Sequence, residues 1–254
     1  MKLAASVVSD ELTKNSRPVK TSAEIAAIAT ISAQNVEAGQ IIADAMDKVK
    51  QDGVITVEEG KTFGMEVTVT EGMQFKNGFI APYMITDAEK MEARYSEVPV
   101  LICDKKISST KDILQVLEAL LQTGKRELVI ICEDLDSEAL TTVVLNKLKG
   151  VFSILAIKAP GFGDRRKENL ADIALLTGAA VVSEEIGLKL ESVGLEVLGK
   201  IDSIVATRET TTIVATQADK KDIEARANEI RRVIDKTDSD YDREKMQERL
   251  ARLI

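Results

Sequence analysis

The densest apolar patterning along the chain lies at residues 110–149, which read as helix, strand, helix. At ~100° per residue, Ile113, Leu114, Val116, Leu117, Leu120 and Leu121 of the first helix spread over about 160°, wider than the roughly 100° a core-facing stripe needs. Leu117 falls at the middle of that arc, and Leu114 and Leu121 fall at its margin beside Glu118. In the second helix Leu140, Val144 and Leu148 share a face, while Leu145 and Val143 lie off it on opposite sides. The inner faces fit two ordinary helices flanking a buried strand. The surplus fits an apolar groove that accepts other chains, and periodicity leaves both readings open.

From the start of the chain, residues 1–15 read as a helix end with Leu3, Val7, Val8 and Leu12 roughly on one side, followed by an extended joint at Pro18. Thr21 and Glu24 match a capping box and open a helix through Ser32, with Ile25, Ile28, Ala29 and Ile31 apolar. A second helix over 36–51 directs Ile41, Ile42, Ala45, Met46 and Val49 inward, and strands follow at 54–57 and 65–70. Gly72 then interrupts the strand pattern, as a bulge or as a hinge between two bodies. Asn77-Gly78 signals a turn, and 79–85 is an apolar, proline-bearing loop or short edge strand, either a core plug or an exposed sticky segment. Strands at 98–103, 154–158 and 180–182 alternate with helices, including one over 165–177, which predicts an α/β core with parallel crossovers. A hairpin joins 201–206 to 211–215 across Thr207 to Thr210, so the expected class is mixed α/β, with a mixed sheet flanked by helices. Two long polar helices, 219–236 and 240–253, end the chain, the last capped by Ser239 or Asp240 and carrying a narrow stripe of Met246, Leu250 and Leu253.

Composition narrows the function classes. The net charge is −8, from 34 basic and 42 acidic residues, so nothing favours nucleic acid or an anionic membrane surface. The apolar runs are too short to span a bilayer, and a soluble protein is expected. Cys103 and Cys132 each end a strand-like run and read as buried, reduced thiols of a reducing compartment. The absence of histidine excludes Ser-His-Asp and Cys-His catalysis and histidine metal sites, and two strand-bound cysteines cannot build a structural zinc site. Gly161-Phe162-Gly163 precedes a helix, where a phosphate loop would sit, but lacks the full dinucleotide or P-loop spacing and reads first as a tight strand-to-helix turn. The acidic pairs Glu133-Asp134 and Glu184-Glu185 read as loop or helix-start pairs rather than catalytic dyads.

Several stretches together are more specific. APGFGDRRK (159–167), VSEEIG (182–187), TTT (210–212) and SDYDREK (239–245) resemble the group I chaperonins, the bacterial and organellar ring chaperones. So do ATISA (29–33), DGVITVE (52–58), EGMQF (71–75) and DKKIS (104–108), in the right order over nearly the whole chain. The resemblance implies an equatorial-domain remnant at 1–16, the first half of an intermediate domain at 17–71 and an apical domain at 72–254, with Gly72 as a hinge glycine. It implies no catalytic residue, cofactor or metal in this stretch. The ATP, magnesium and potassium sites of the parent, a double seven-membered ring ATPase, would lie outside it, leaving a fragment expected to be monomeric.

On the same resemblance, Phe79, Tyr83, Met84, Leu114, Leu117, Leu140, Val144, Leu145 and Asn146 fall on the groove that binds non-native polypeptides and, competitively, the mobile loop of the small co-chaperonin. Leu117 would then face outward, with Ile113, Val116 and Leu120 left in the core. The implied compartment is the bacterial cytoplasm, or else the mitochondrial matrix or chloroplast stroma. Phe79 stands where a tyrosine is common, Met84 where a phenylalanine is common, and Lys76-Asn77 where many relatives carry Asp-Arg, so an inter-subunit salt bridge through that arginine does not transfer. The reading of a different class is an α/β enzyme holding a phosphate ligand at the Gly161 loop.

Overall fold

The computed structural model describes residues 11–12, 14–17, 19, 21–49, 64–65, 67 and 72–253. The chain divides into two compact units, 1–69 and 70–254. The strand expected at 54–57, and most of the strand expected at 65–70 and of the helix end expected at 1–15, lie outside the described residues.

In the first unit, α1 (Ser22–Ala33) and α2 (Val36–Val49) form a helical hairpin. The expected capping box opens α1: Glu24 N–H donates to Thr21 Oγ1 at 3.3 Å, and Thr21 N–H donates to Glu24 Oε2 at 3.0 Å. Gln34 takes the left-handed conformation that ends α1, and Asn35 Oδ1 then accepts from Glu37 N–H at 2.8 Å to start α2. The helices touch where a Cβ on Gly39 would lie 2.0 Å from Thr30 Oγ1. Ala43 and Ala45 are buried, Ile41, Ile42 and Met46 are half-buried, and α1 buries nothing fully. Ile28 and Ile31 are exposed. Steps of three residues drift by about 60° per step on a helix, so Ile25, Ile28 and Ile31 wind around α1 instead of forming a stripe.

The second unit is built on a seven-stranded mixed sheet. Its strands are β1 (Met73–Phe75), β2 (Ala93–Cys103), β3 (Glu127–Cys132), β4 (Ser153–Lys158), β5 (Val181–Val182), β6 (Gly199–Ala206) and β7 (Thr211–Val214). The order is β1-β7-β6-β2-β3-β4, with β5 also paired to β2. β2, β3, β4 and β5 pair in parallel, while β6, β7 and β1 add antiparallel. The near-continuous apolar runs of β3 and β4 follow from burial on both faces. The expected hairpin is β6–β7, closed by Thr207 N–H donating to Thr210 O at 2.8 Å.

Between β2 and β3 lies α3 (Leu114–Gln122), entered through a 3₁₀ turn at Thr110–Ile113, and between β3 and β4 lies α4 (Ser137–Leu148). Right-handed crossovers between successive neighbours put α3 and α4 on one face of the sheet. The return from β4 to β5 reverses direction, so α5 (Asp164–Thr177) packs on the opposite face, where α6 (Lys220–Lys236) and α7 (Asp240–Leu253) join it. Ile230 and Leu253 anchor these last helices in the core, and Ser239 Oγ caps α7 by accepting from Asp242 N–H at 3.3 Å.

Three features depart from the sequence pattern. β2 begins at Ala93, five residues earlier than expected, because Glu97 adopts φ 53° and shifts the buried positions from Ala93 and Tyr95 to Val98. Asn77-Gly78 makes no hairpin: Gly78 is wedged against the β6–β7 turn, where a Cβ would lie 2.0 Å from Thr207 O. Residues 184–197 form three short 3₁₀ turns whose Leu190, Val193 and Val197 are buried, with no period to announce them.

Candidate functional site

The two helices at 114–122 and 137–148 are anchored side by side at their N-termini. The chain leaving β2 bridges the chain leaving β3: Ile107 N–H donates to Asp134 O and Asp136 N–H to Ile107 O, each at 2.9 Å. Asp112 Oδ2 accepts from Ser108 and Ser109 N–H at 3.0 and 3.1 Å, and Ser109 Oγ reaches Glu138 Oε1 of α4 at 3.0 Å. Lys106 pairs with Asp136 across the gap. That bond holds the Asp136 carboxyl below its usual range and raises the Lys106 ammonium.

Ile113 of the entering turn and Val116, Leu117 and Leu120 of α3 face the core, while Leu114 (45% exposed) and Leu121 (42%) flank them in solvent. Leu117 is only 9% exposed, so it occupies the middle of the inner arc, as periodicity places it, and not the outward position the resemblance implied. On α4 the buried residues are Ala139 and Val143. The face carrying Leu140, Val144 and Leu148 is therefore tilted away from the core: Leu140 and Val144 are half-buried, Leu145 is 48% exposed and Leu148 is 73% exposed. Two small inner side chains let this helix lie close to the sheet and leave its leucines at the rim. Asn146 is half-buried, and its side-chain amide donates back to Thr142 O at 2.9 Å.

The segment at 79–85 divides the same way. Phe79 and Met84 belong to the core. Phe79 forms an isolated antiparallel bridge with Ile157, and the Met84 thioether accepts Ala156 N–H at 3.3 Å, so both residues are held against β4 and not on the exposed apolar set. Tyr83, between them in sequence, projects from the 3₁₀ turn Pro82–Met84 and is 68% exposed. Lys147 of α4 ties this turn down by donating to Ile85 O at 3.0 Å, and burial lowers its ammonium pKa. The exposed apolar set on these elements is thus Tyr83, Leu114, Leu121, Leu145 and Leu148, continued by Val151 just past α4. Val151 lies beyond the periodic pattern, so sequence reasoning had no signal for it.

At the carboxyl ends of the parallel strands, where open α/β sheets generally hold ligands, ion pairs fill the described structure. Arg166 bridges Asp104 after β2 at 3.1 Å and Glu133 after β3 at 2.9 Å. Lys105 pairs with Glu184 at 2.8 Å, Lys158 with Asp134 at 3.2 Å and Lys167 with Glu185 at 2.5 Å. Both acidic dipeptides are therefore neutralised by cations. The Gly161 loop is a tight strand-to-helix turn, with Gly161 and Gly163 at φ 88° and 55° and Asn169 Nδ2 donating to Pro160 O at 3.0 Å. Cys103 and Cys132 are free and buried at the ends of β2 and β3, and contact with Cys103 together with burial pushes the Cys132 thiol well up.

Among the described residues no group of three or more His, Cys, Asp or Glu side chains is arranged to hold a metal ion, and no helix is long and apolar enough to cross a membrane. No protein-family model matches the chain.

Proposed function

We propose that residues 72–254 form a polypeptide-docking module, the binding portion of a group I chaperonin, which captures apolar segments of non-native chains and of a co-chaperonin loop. The observation that carries this reading is the set of exposed leucines, Leu114, Leu121, Leu145 and Leu148, on two helices whose N-terminal ends are tied together by the loops that precede them. Single exposed leucines are ordinary, but two on each of two neighbouring helices of a well-packed body are more than packing needs, which supports a binding face. Unbranched or γ-branched aliphatic side chains with free rotamers can repack around clients of no fixed pattern. The face consists of Tyr83, Leu114, Leu140, Val144 and Leu145 from the residues the resemblance implies, extended by Leu121 and Leu148, with Phe79, Met84 and Leu117 supporting it from beneath. Binding at this face needs no nucleotide on these residues, and the compartment that goes with the reading is the cytoplasm.

The phosphate-enzyme reading has less support, because the two arginines that follow the Gly161 turn are already committed, Arg165 to Asp242 and Arg166 to two carboxylates. The test is capture of a chemically denatured client by the double variant Leu114→Ser/Leu145→Ser. Loss of capture with an unchanged melting curve is the expected outcome. Undiminished capture overturns the proposal.

A further inference from the structure

An open pocket of about 520 Å³ is lined by Lys76, Gly78, Phe79, Ile80, Lys158 and Arg208 together with Asn77, Asp134 and Glu209. We infer that it is a binding site for a small phosphate-bearing anion. The proposal is independent of the docking face, since none of the pocket's charged residues belongs to that face.

Three observations carry it. The first is charge. In a chain of net −8, the pocket gathers three cations against two carboxylates. Asp134 is already satisfied on both oxygens, by Leu135 N–H at 2.9 Å and Lys158 Nζ at 3.2 Å. Lys76 and Arg208 have no ion-pair or hydrogen-bond partner for their side chains among the described residues, which leaves two uncommitted cations against Glu209 alone. The second is rigidity. The wall at 78–80 is stitched by Phe79 N–H to Thr207 O at 3.1 Å, Ile80 N–H to Ala156 O at 2.9 Å and Lys158 N–H to Gly78 O at 3.5 Å. The backbone wall of the pocket is therefore preformed, which lowers the ordering cost of binding. The third is chemistry and size. A guanidinium fork and an ammonium lining one pocket match phosphate oxygens, and the volume lies in the range of small-ligand sites, larger than one phosphate requires. A diphosphate or a phosphate monoester whose body rests near Ile80 fits that space.

The experiment is isothermal titration of the whole chain, at low ionic strength, with inorganic pyrophosphate and separately with phenyl phosphate. The expected result is saturable binding of at least one of them, weakened tenfold or more by Arg208→Ser and severalfold by Lys76→Ser. Arg208→Lys should keep part of the affinity, with circular dichroism melting curves unchanged throughout. Lys236→Ser, an exposed lysine on another element, should leave binding intact. Tighter binding of phenyl phosphate identifies an ester with an apolar body, and tighter binding of pyrophosphate identifies a diphosphate. Absence of binding at millimolar ligand overturns the proposal, as does equal weakening by Lys236→Ser, which would reduce the effect to unspecific charge.

Discussion

Arg249 of α7 reaches across to Asp172 of α5 with two guanidinium nitrogens, Nε to Oδ2 and Nη2 to Oδ1, the latter at 2.9 Å. Both side chains are almost fully buried, and Arg226 of α6 completes the cluster by donating to Asp172 Oδ1 at 2.9 Å. One carboxylate thereby pins the two C-terminal helices to the sheet-packed α5. Removing one partner of a buried, hydrogen-bonded pair costs about 3–5 kcal/mol when the other charge is left alone, and Arg226 would still hold one oxygen of Asp172. Arg249→Ala is therefore expected to destabilise the second unit by up to about 3 kcal/mol, read as a lower urea midpoint. A change below about 1 kcal/mol, the worth of an exposed pair, would mean the cluster is solvated.

The inner and outer leucines of α3 should separate cleanly. Leu117→Ser removes core contacts and buries a hydroxyl, and a cost of about 2–4 kcal/mol is expected. Leu114→Ser, at the exposed margin, should stay within about 0.5 kcal/mol of the parent. Paired thermal melts check both, and equal losses would mean that the margin is core.

Glu97 holds φ 53° inside β2, a conformation strained for any residue with a Cβ. Its ion pair with Lys200 is solvent-exposed and contributes little. Glu97→Gly is expected to be neutral or to stabilise by up to about 1 kcal/mol, despite the poor strand propensity of glycine. Glu97→Val, the better strand former, should destabilise by about 1–2 kcal/mol. The reverse order in denaturant midpoints would show that the strand relaxes to an extended conformation.

Tyr95 sits against the core with its hydroxyl 2.7 Å from Ser153 Oγ, and burial raises its pKa above the ordinary 10.0. A phenol whose folded pKa is raised leaves stability untouched at lower pH. Above the unfolded value, deprotonation favours the unfolded chain, so stability falls as pH climbs past about 10 toward the folded pKa. Unfolding midpoints between pH 9 and 11 should therefore drop more steeply for the parent than for Tyr95→Phe. Parallel slopes would assign the alkaline loss to other groups.

Gly72 combines φ 129° with a close approach in which a Cβ would lie 2.3 Å from Ile213 O, at the point where β1 meets β7. Gly72→Ala meets both backbone strain and a clash, and a cost of at least about 2 kcal/mol is expected. Denaturant titration of Gly72→Ala against Gly150→Ala, whose Cβ would meet open space, separates the clash from the strain, since Gly150 also has positive φ.

The sequence by itself determined the element types wherever period and punctuation agree. The capping box at Thr21 and Glu24 and the Thr207–Thr210 hairpin connection rest on interactions within a few residues, and the β3–α4–β4 alternation and the two C-terminal helices show in the local period of their apolar positions. It also placed Ile113, Val116 and Leu120 inward, but it left Leu117 with two places, the middle of the inner arc by period and the outer face by resemblance, and burial of Leu117 was decided by the structure. The rotation of α4 was decided only by the tertiary structure. Ala139 and Val143 give the closer approach to the sheet, and which of two faintly apolar faces turns inward depends on the shape of what lies beneath. The same holds for Phe79 and Met84 against Tyr83, neighbours in sequence separated by strand contacts with Ala156 and Ile157. Asp172, one acid in a polar helix, became a buried anchor through Arg226 and Arg249, each more than fifty residues away. Burial of a charge is settled by the partners that the fold delivers to it, and no local pattern encodes them.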